Sequence, residues 1–233
     1  MRGIGKVGIH MKKREIVSIF FVTTLLVSNI MAAKLVGGTV LGLSFTLPAA
    51  VVLYPFCFML GDIMTEVWGF KHARRVIITG FAANLLMTLF LWVGQMLPPT
   101  AEWTVQAGLD WTRQEAYEAI FGTTFRIVLG SITAYIAGEL INSLVLDKMK
   151  EKLGPKRMYL RTIGSSVVGQ VFDTGLFIGI AFYGVVPNGT LLTMMAVQYI
   201  IKLLIEAVFG TPLLYLLVYF IKREGKDNGR EQP

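Results

Sequence analysis

The string QYIIKLLIEAVFGTP, Gln198 to Pro212, places Gln198, Lys202 and Glu206 four residues apart in an otherwise apolar stretch. That spacing makes one stripe of a helix. Two similar pairs lie elsewhere, Asp62 with Glu66 at i, i+4 and Gln170 with Asp173 at i, i+3. Carboxylates, an ammonium group and amides arranged this way suit recognition of a small polar ligand. They also suit proton relay, or a carboxylate pair that activates water.

The elements that carry these groups are apolar. Of the 233 residues, 54% are hydrophobic and only 16% charged, and mean hydropathy is +0.61. That composition belongs to an integral membrane protein. Six apolar segments, near 15–36, 44–68, 76–97, 120–146, 162–186 and 192–221, reach the roughly 20 residues a helix needs to cross a bilayer. The expected fold class is an all-α integral membrane protein of six transmembrane helices. Its expected divisions are a basic N-terminus (1–14), the membrane domain (15–221) and a tail (222–233).

The basic residues sort by loop. Eighteen of the 22 fall before the first segment, between the second and third, between the fourth and fifth, or in the tail. The alternate loops (37–43, 98–119, 187–191) hold Arg113 alone. Positive loops stay in the cytoplasm, so both termini are expected there. The net charge of +7 is thereby an orientation signal rather than a nucleic-acid patch. The first segment has a basic lead but an apolar run too long for a signal peptide, and is expected to be retained. The loop 98–119, with Trp103 and Trp111, suits the membrane interface, as a plain loop or a short helix. One cysteine, Cys57, excludes an intrachain disulfide, and there is no zinc-type ligand spacing, P-loop or GxGxxG string. No cofactor is expected.

Eight charged residues lie inside the segments: Lys34, Arg126, Lys202, Asp62, Glu66, Glu139, Asp173 and Glu206. Each costs about 2.5–3.5 kcal/mol at the bilayer centre on insertion scales. All eight facing lipid would cost on the order of 20 kcal/mol, so they must face an interior, a cavity or an interface. Lys34 and Arg126 lie near the outer ends, and Lys34 can snorkel. Glu66 and Glu139 lie towards the cytoplasmic ends. Asp173, Lys202 and Glu206 lie near the midplane, with Asp62 between these groups. In the fourth segment Arg126, Gly130, Ala134, Gly138 and Asn142 recur every four residues, and the fifth repeats the device with Ser165, Gly169 and Asp173. Small residues at that period allow close helix approach. Polar groups of several helices are thus expected to converge on one interior.

Five strings resemble the queuosine precursor transporters, a family of vitamin-uptake type: VSNIMAAKL, GDIMTEVWGFKHARR, FRIVLGSITAYIAGELINSLVLDKMK, GSSVVGQVFDTGLFIGIAFYG and QYIIKLLIEAVFGTP. They cover five of the six segments in order. Gly130, where the family pattern has alanine, is a minor departure. The resemblance implies import of a 7-deazapurine base, such as 7-cyano-7-deazaguanine or its aminomethyl relative, across the inner membrane for making queuosine in tRNA. It also implies likeness to the six-helix substrate-binding subunits of energy-coupling-factor vitamin transporters. The expected partners are the small-molecule deazapurine and membrane lipid, not nucleic acid, with a homo-oligomer or a separate energising module left open.

The chemistry of such a base matches the residues. Its N1–H and exocyclic amine offer a bidentate pair to one carboxylate, its O6 and nitrile suit a cation, and its ring faces suit aromatic stacking. The candidate binding set is Asn29, Asp62, Arg126, Gln170, Asp173, Lys202 and Glu206, with Tyr54, Phe125, Phe172 and Tyr199 as stacking candidates. Ordinary helix packing is the competing reading of each aromatic, and a self-satisfied Lys202–Glu206 pair that of the stripe. Three other functions compete: a binding subunit needing an ATP-driven partner, an importer of another heterocyclic vitamin, and an intramembrane aspartyl protease built on Asp62 and Asp173. Against the last, MLGD lacks the first glycine of GxGD, FD replaces YD, and no PAL string occurs.

The charge distribution sets a topology test. In a Cys57→Ser background, a cysteine replacing Glu102 should react with an impermeant thiol reagent in intact cells, and one replacing Lys152 should not. The reverse pattern, or equal labelling, would end the six-span arrangement.

Overall fold

The computed structural model describes residues 12–40, 42–104, 111–153 and 158–210, with positions 212 and 216. Most of the expected N-terminal region and all of the tail lie outside the described residues. The elements are α1 (Lys13–Met31), β1 (Leu35–Val40), β2 (Leu43–Pro48), α2 (Tyr54–Trp68), α3 (Phe70–Met96), α4 (Ala101–Thr104), α5 (Arg113–Phe121), α6 (Thr124–Leu153), α7 (Met158–Phe182) and α8 (Asn188–Ile205). A π-helical turn, Glu206–Gly210, continues α8.

Five stretches among the described residues are long and apolar enough to cross a membrane: Lys13–Met31, Phe70–Met96, Arg113–Asn142, Ile163–Phe182 and Asn188–Val208. The second expected span behaves differently. Its first part, from residue 44, is strand β2, paired antiparallel with β1 from Leu35↔Pro48 to Val40↔Leu43. An all-α fold is therefore corrected to a mostly helical one with a β-hairpin. Local chemistry explains it. Thr39, Val40, Phe45 and Thr46 favour strand, Gly42 takes the φ of +80° that the turn requires, and Pro48 donates no backbone hydrogen bond at the strand's end. A 3₁₀ turn, Ala49–Val52, leads into α2. That helix has 15 residues, ~22 Å at 1.5 Å per residue, short of a bilayer core of about 30 Å.

The loop after α3 contains the two short helices α4 and α5. A capping box starts α5: the Glu115 carboxylate accepts from the Thr112 N–H at 2.7 Å, and the Thr112 hydroxyl accepts from the Glu115 N–H at 3.1 Å.

The long helices form two groups. In one, α1, α2 and α3 pack on each other; in the other, α7 packs on both α6 and α8. Asn29 of α1 donates to Asn84 of α3 at 3.0 Å, both side chains buried. The α6–α7 contact is the tight one, and the four-residue stripe of small residues causes it. A Cβ on Gly138 would lie 2.9 Å from the Asp173 Cβ, and one on Gly169 2.8 Å from the Asn142 Cβ. At Gly130 the nearest atom would be the Phe177 carbonyl oxygen, at 3.2 Å. Between the groups, α1 and α3 touch α6 and α2 touches α8. The turn Gly69, with φ of +83°, and the C-terminal end of α6 lie at one end of the bundle, together with Lys71, Arg74, Arg75, Lys148 and Lys152. The hairpin lies at the other end, with β2 against α8.

Gly169→Val should lower the unfolding temperature in detergent, by an amount equivalent to about 1–3 kcal/mol of overpacking. Gly175→Ala, with open space around its Cβ, should leave it unchanged or raised, because alanine is the better helix former.

Candidate functional site

A cavity of about 550 Å³ lies between the two helix groups. Phe21 of α1, Tyr54 of α2 and Phe81 of α3 line it from one side; Tyr135 of α6, Asp173 of α7 and Lys202 of α8 line it from the other. It extends past Thr65 to Phe70 and Arg74 at the basic end of the bundle. Beyond Tyr54 and Phe177, towards the hairpin, a buried cluster including Phe182, Leu191, Met194 and Ala50 fills the interior. Edge-to-face rings run through it, Tyr54 to Phe177 at 5.7 Å and Phe177 to Phe182 at 6.1 Å.

The polar centre is an ion pair. The Lys202 Nζ lies 2.6 Å from Asp173 Oδ2, with the lysine side chain 4% and the aspartate 14% exposed. The ammonium also sits over the Tyr54 ring, 4.8 Å from its centroid, a cation–π contact that strengthens with desolvation. One turn away, Gln170 Nε2 donates to the Glu206 carboxylate. Glu206 begins the π-helical turn, and such widened turns gather at functional positions. The stripe of α8 thus meets α7 rung by rung, Lys202 on Asp173 and Glu206 on Gln170.

The other candidates are placed elsewhere. Arg126 Nη2 donates to the carbonyls of Ile180 and Tyr183, at 3.0 and 2.7 Å. These oxygens end α7, where a cation complements the helix dipole. They lie seven and ten residues beyond Asp173, ~10–15 Å along the axis. Asn29 bonds to Asn84 and to the Leu25 carbonyl, joining α1 to α3. Asp62 is in α2, beside the cavity-lining Gly61, but its side chain lies outside the described residues, as do those of Glu66 and Glu139. Lys34 is exposed at the hairpin end, as snorkelling requires. Of the stacking candidates, Tyr54 lines the cavity, Phe125 and Phe172 are 60% and 46% exposed, and the Tyr199 hydroxyl donates to the Val167 carbonyl.

Ser131, Tyr135 and Arg74 line the cavity without having been singled out from sequence. Ser131 and Tyr135 are four residues apart on α6, beside the small-residue stripe, and Tyr135 meets Phe81 of α3 edge-on at 5.2 Å. The stripe itself packs against α7, and Ala134 borders both faces.

Residues 48–217 match a family model described as "Putative vitamin uptake transporter". The chain belongs to the vitamin uptake transporter family. Relatives include a Bacillus subtilis (strain 168) protein named "Probable queuosine precursor transporter", 30% identical over 92% of this chain and 85% of that one. An Escherichia coli (strain K12) protein named "Queuosine precursor transporter" is 26% identical over 75% and 74%. No solved structure matches. The family is one of transporters, not enzymes. It accounts for a multi-pass membrane protein with a cavity for a small molecule, and it sets aside the protease reading. Asp173 is in any case bonded to an ammonium group, whereas an aspartyl protease needs two carboxylates sharing a proton.

Breaking the Lys202–Asp173 pair from one side leaves a buried charge uncompensated, at about 3–5 kcal/mol. Lys202→Met and Asp173→Asn should each lower the unfolding temperature. Lys202→Met combined with Asp173→Leu should recover much of that loss while uptake stays abolished. A double variant that transports normally would reduce the pair to a helix fastening.

Proposed function

We propose that the protein imports queuosine precursors across the inner membrane, with 7-cyano-7-deazaguanine or 7-aminomethyl-7-deazaguanine as cargo. The names of the relatives support the substrate class. The observation that carries the reading is an ammonium–carboxylate pair on the wall of a cavity flanked by aromatic rings. Asp173 accepts from the N1–H and exocyclic amine of the base, and Lys202 donates to the adjacent O6. These three groups form one edge of the ring, and a carboxylate 2.6 Å from an ammonium presents the complementary row. Tyr54 and Phe177 supply ring contacts. Glu206, held by Gln170, supplies a second carboxylate for the aminomethyl cation.

Six spans with both termini cytoplasmic fit the basic loops. The strand β2, the 3₁₀ turn and α2 together make the second crossing, with the hairpin at its outer end and β2 packed against α8. In that orientation the cavity reaches towards the cytoplasm past Arg74, and the aromatic cluster closes the outer side. This is the state that releases cargo inward. The three-helix groups rock about the site to expose it outward. Proton coupling, facilitated diffusion and a separate ATP-driven module are the three ways such import can run.

A strain unable to make the precursor and lacking its own importer tests the proposal, with queuosine in tRNA as the readout. Expression of this protein should restore modification at low external precursor, and Lys202→Met or Asp173→Asn should not. Rescue only with a co-expressed ATPase would make the chain a binding subunit. Uptake of another heterocycle and no deazapurine would reassign the substrate.

A further inference from the structure

Gln198 is fully buried, and among the described residues neither its amide nitrogen nor its amide oxygen has a hydrogen-bond partner. The Tyr54 hydroxyl is likewise buried and has no hydrogen-bond partner among the described residues. An unsatisfied buried polar group bears its full desolvation penalty, and a leucine of similar volume would avoid it. The helix register shows where the amide stands. Gln170 is beside Glu206, Asp173 beside Lys202, and Gly179 beside Met195, so α7 and α8 run antiparallel with Gln198 level with Phe177. Phe177 lines the cavity and touches the Tyr54 ring. Gln198 therefore lies level with Phe177 and just beyond the closed end of the cavity, which it does not itself line, one helical turn (~5.4 Å) outward of Lys202 on the same face of α8.

We propose that Gln198 is a specificity-determining residue that reads a second edge of the cargo and restricts transport to free bases. This rests on the deazapurine reading above. With one edge of the ring on Asp173 and Lys202, the neighbouring edge presents N3, an acceptor, beside N9–H, a donor. A carboxamide offers a donor and an acceptor in one plane and matches that edge as a bidentate pair, as amide side chains match an adenine edge in DNA. A nucleoside carries its sugar on N9. It has no N9–H to donate, and its sugar would meet the enclosed wall formed by Phe177, Tyr54 and Met194. Cargo reaches the amide when the Tyr54–Phe177 contact opens, so the unmet hydrogen bonds of Gln198 favour the loaded state over the empty one.

The experiment measures binding by purified full-length protein in detergent, by calorimetry. The ligands are 7-cyano-7-deazaguanine, its N9-methyl derivative and its ribonucleoside. The unaltered protein should bind the free base and bind the other two roughly 10- to 100-fold more weakly, the range of a good bidentate pair. Gln198→Leu should unfold at the same or a higher temperature. It should bind the base more weakly by a similar factor and no longer distinguish it from the N9-methyl form. Equal binding of base and N9-methyl base by the unaltered protein overturns the inference without any variant. So does a Gln198→Leu protein that keeps both affinity and discrimination. No binding of any of the three by the unaltered protein overturns the substrate reading, and this inference with it.

Discussion

An ammonium group in the middle of a membrane protein must be neutralised where it sits, and the rest of this structure follows from that requirement. Lys202 is too deep on α8 to reach an interface, and its side chain is 4% exposed. Its charge is met by Asp173 at 2.6 Å and by the face of Tyr54. In a medium of low dielectric this attraction is strong, but so is the desolvation that opposes it. The pair therefore tolerates little movement. It fixes α8 against α7 at one level and draws the start of α2 onto both.

The register of α7 has a second support. Gly138 and Gly169 let α6 and α7 approach until a Cβ at either would strike a neighbour's Cβ. Lipid gives no hydrophobic push between helices, so close van der Waals contact is what holds them. Arg126 on α6 fastens the far end of α7 through two backbone carbonyls. The charge in the centre thus sits on a rigid three-helix unit. The other unit is joined internally by the Asn29–Asn84 bond and by the core of Phe21, Leu25, Met64 and Ala73. The cavity opens where the two units meet because neither seam extends across that boundary.

Much of this arrangement was legible in the sequence because helices in lipid leave simple periods. The stripe Gln198–Lys202–Glu206 does face the interior, and the every-fourth small residues do mark the closest helix contact. The assignment of faces was less legible. The small residues of the α6 stripe give the close approach to α7, while Arg126 of the same stripe binds the end of α7 rather than the cavity, which Ala134, Ser131 and Tyr135 border. A period fixes which residues share a face and not what that face meets. Arg126 shows the same limit, since a side chain that long can seek a ligand or a helix end. The hairpin was hidden for another reason. From Leu43 to Leu60 the chain is nearly all apolar, and such a run fits a spanning helix as well as a buried strand. Gly42, Pro48 and Pro55 were the available breaker signals.

An ion pair that is complete without cargo has a consequence for selection. A small molecule that offered only a cation or only an anion would have to pull one partner away and strand the other. A molecule that presents donors to Asp173 and an acceptor to Lys202 together can enter without separating them, because both charges keep a partner throughout. On the proposed reading, in which the pair meets cargo, it would discriminate by the pattern of a ligand's edge more than by its net charge. Such selection would cost little, since the groups are already held in place by α6, α7 and Tyr54. The same logic explains why the polar centre adjoins a wall of aromatic rings. Flat faces accept any planar ring of the right size, and under the proposal the charged row would decide which edge such a ring must carry.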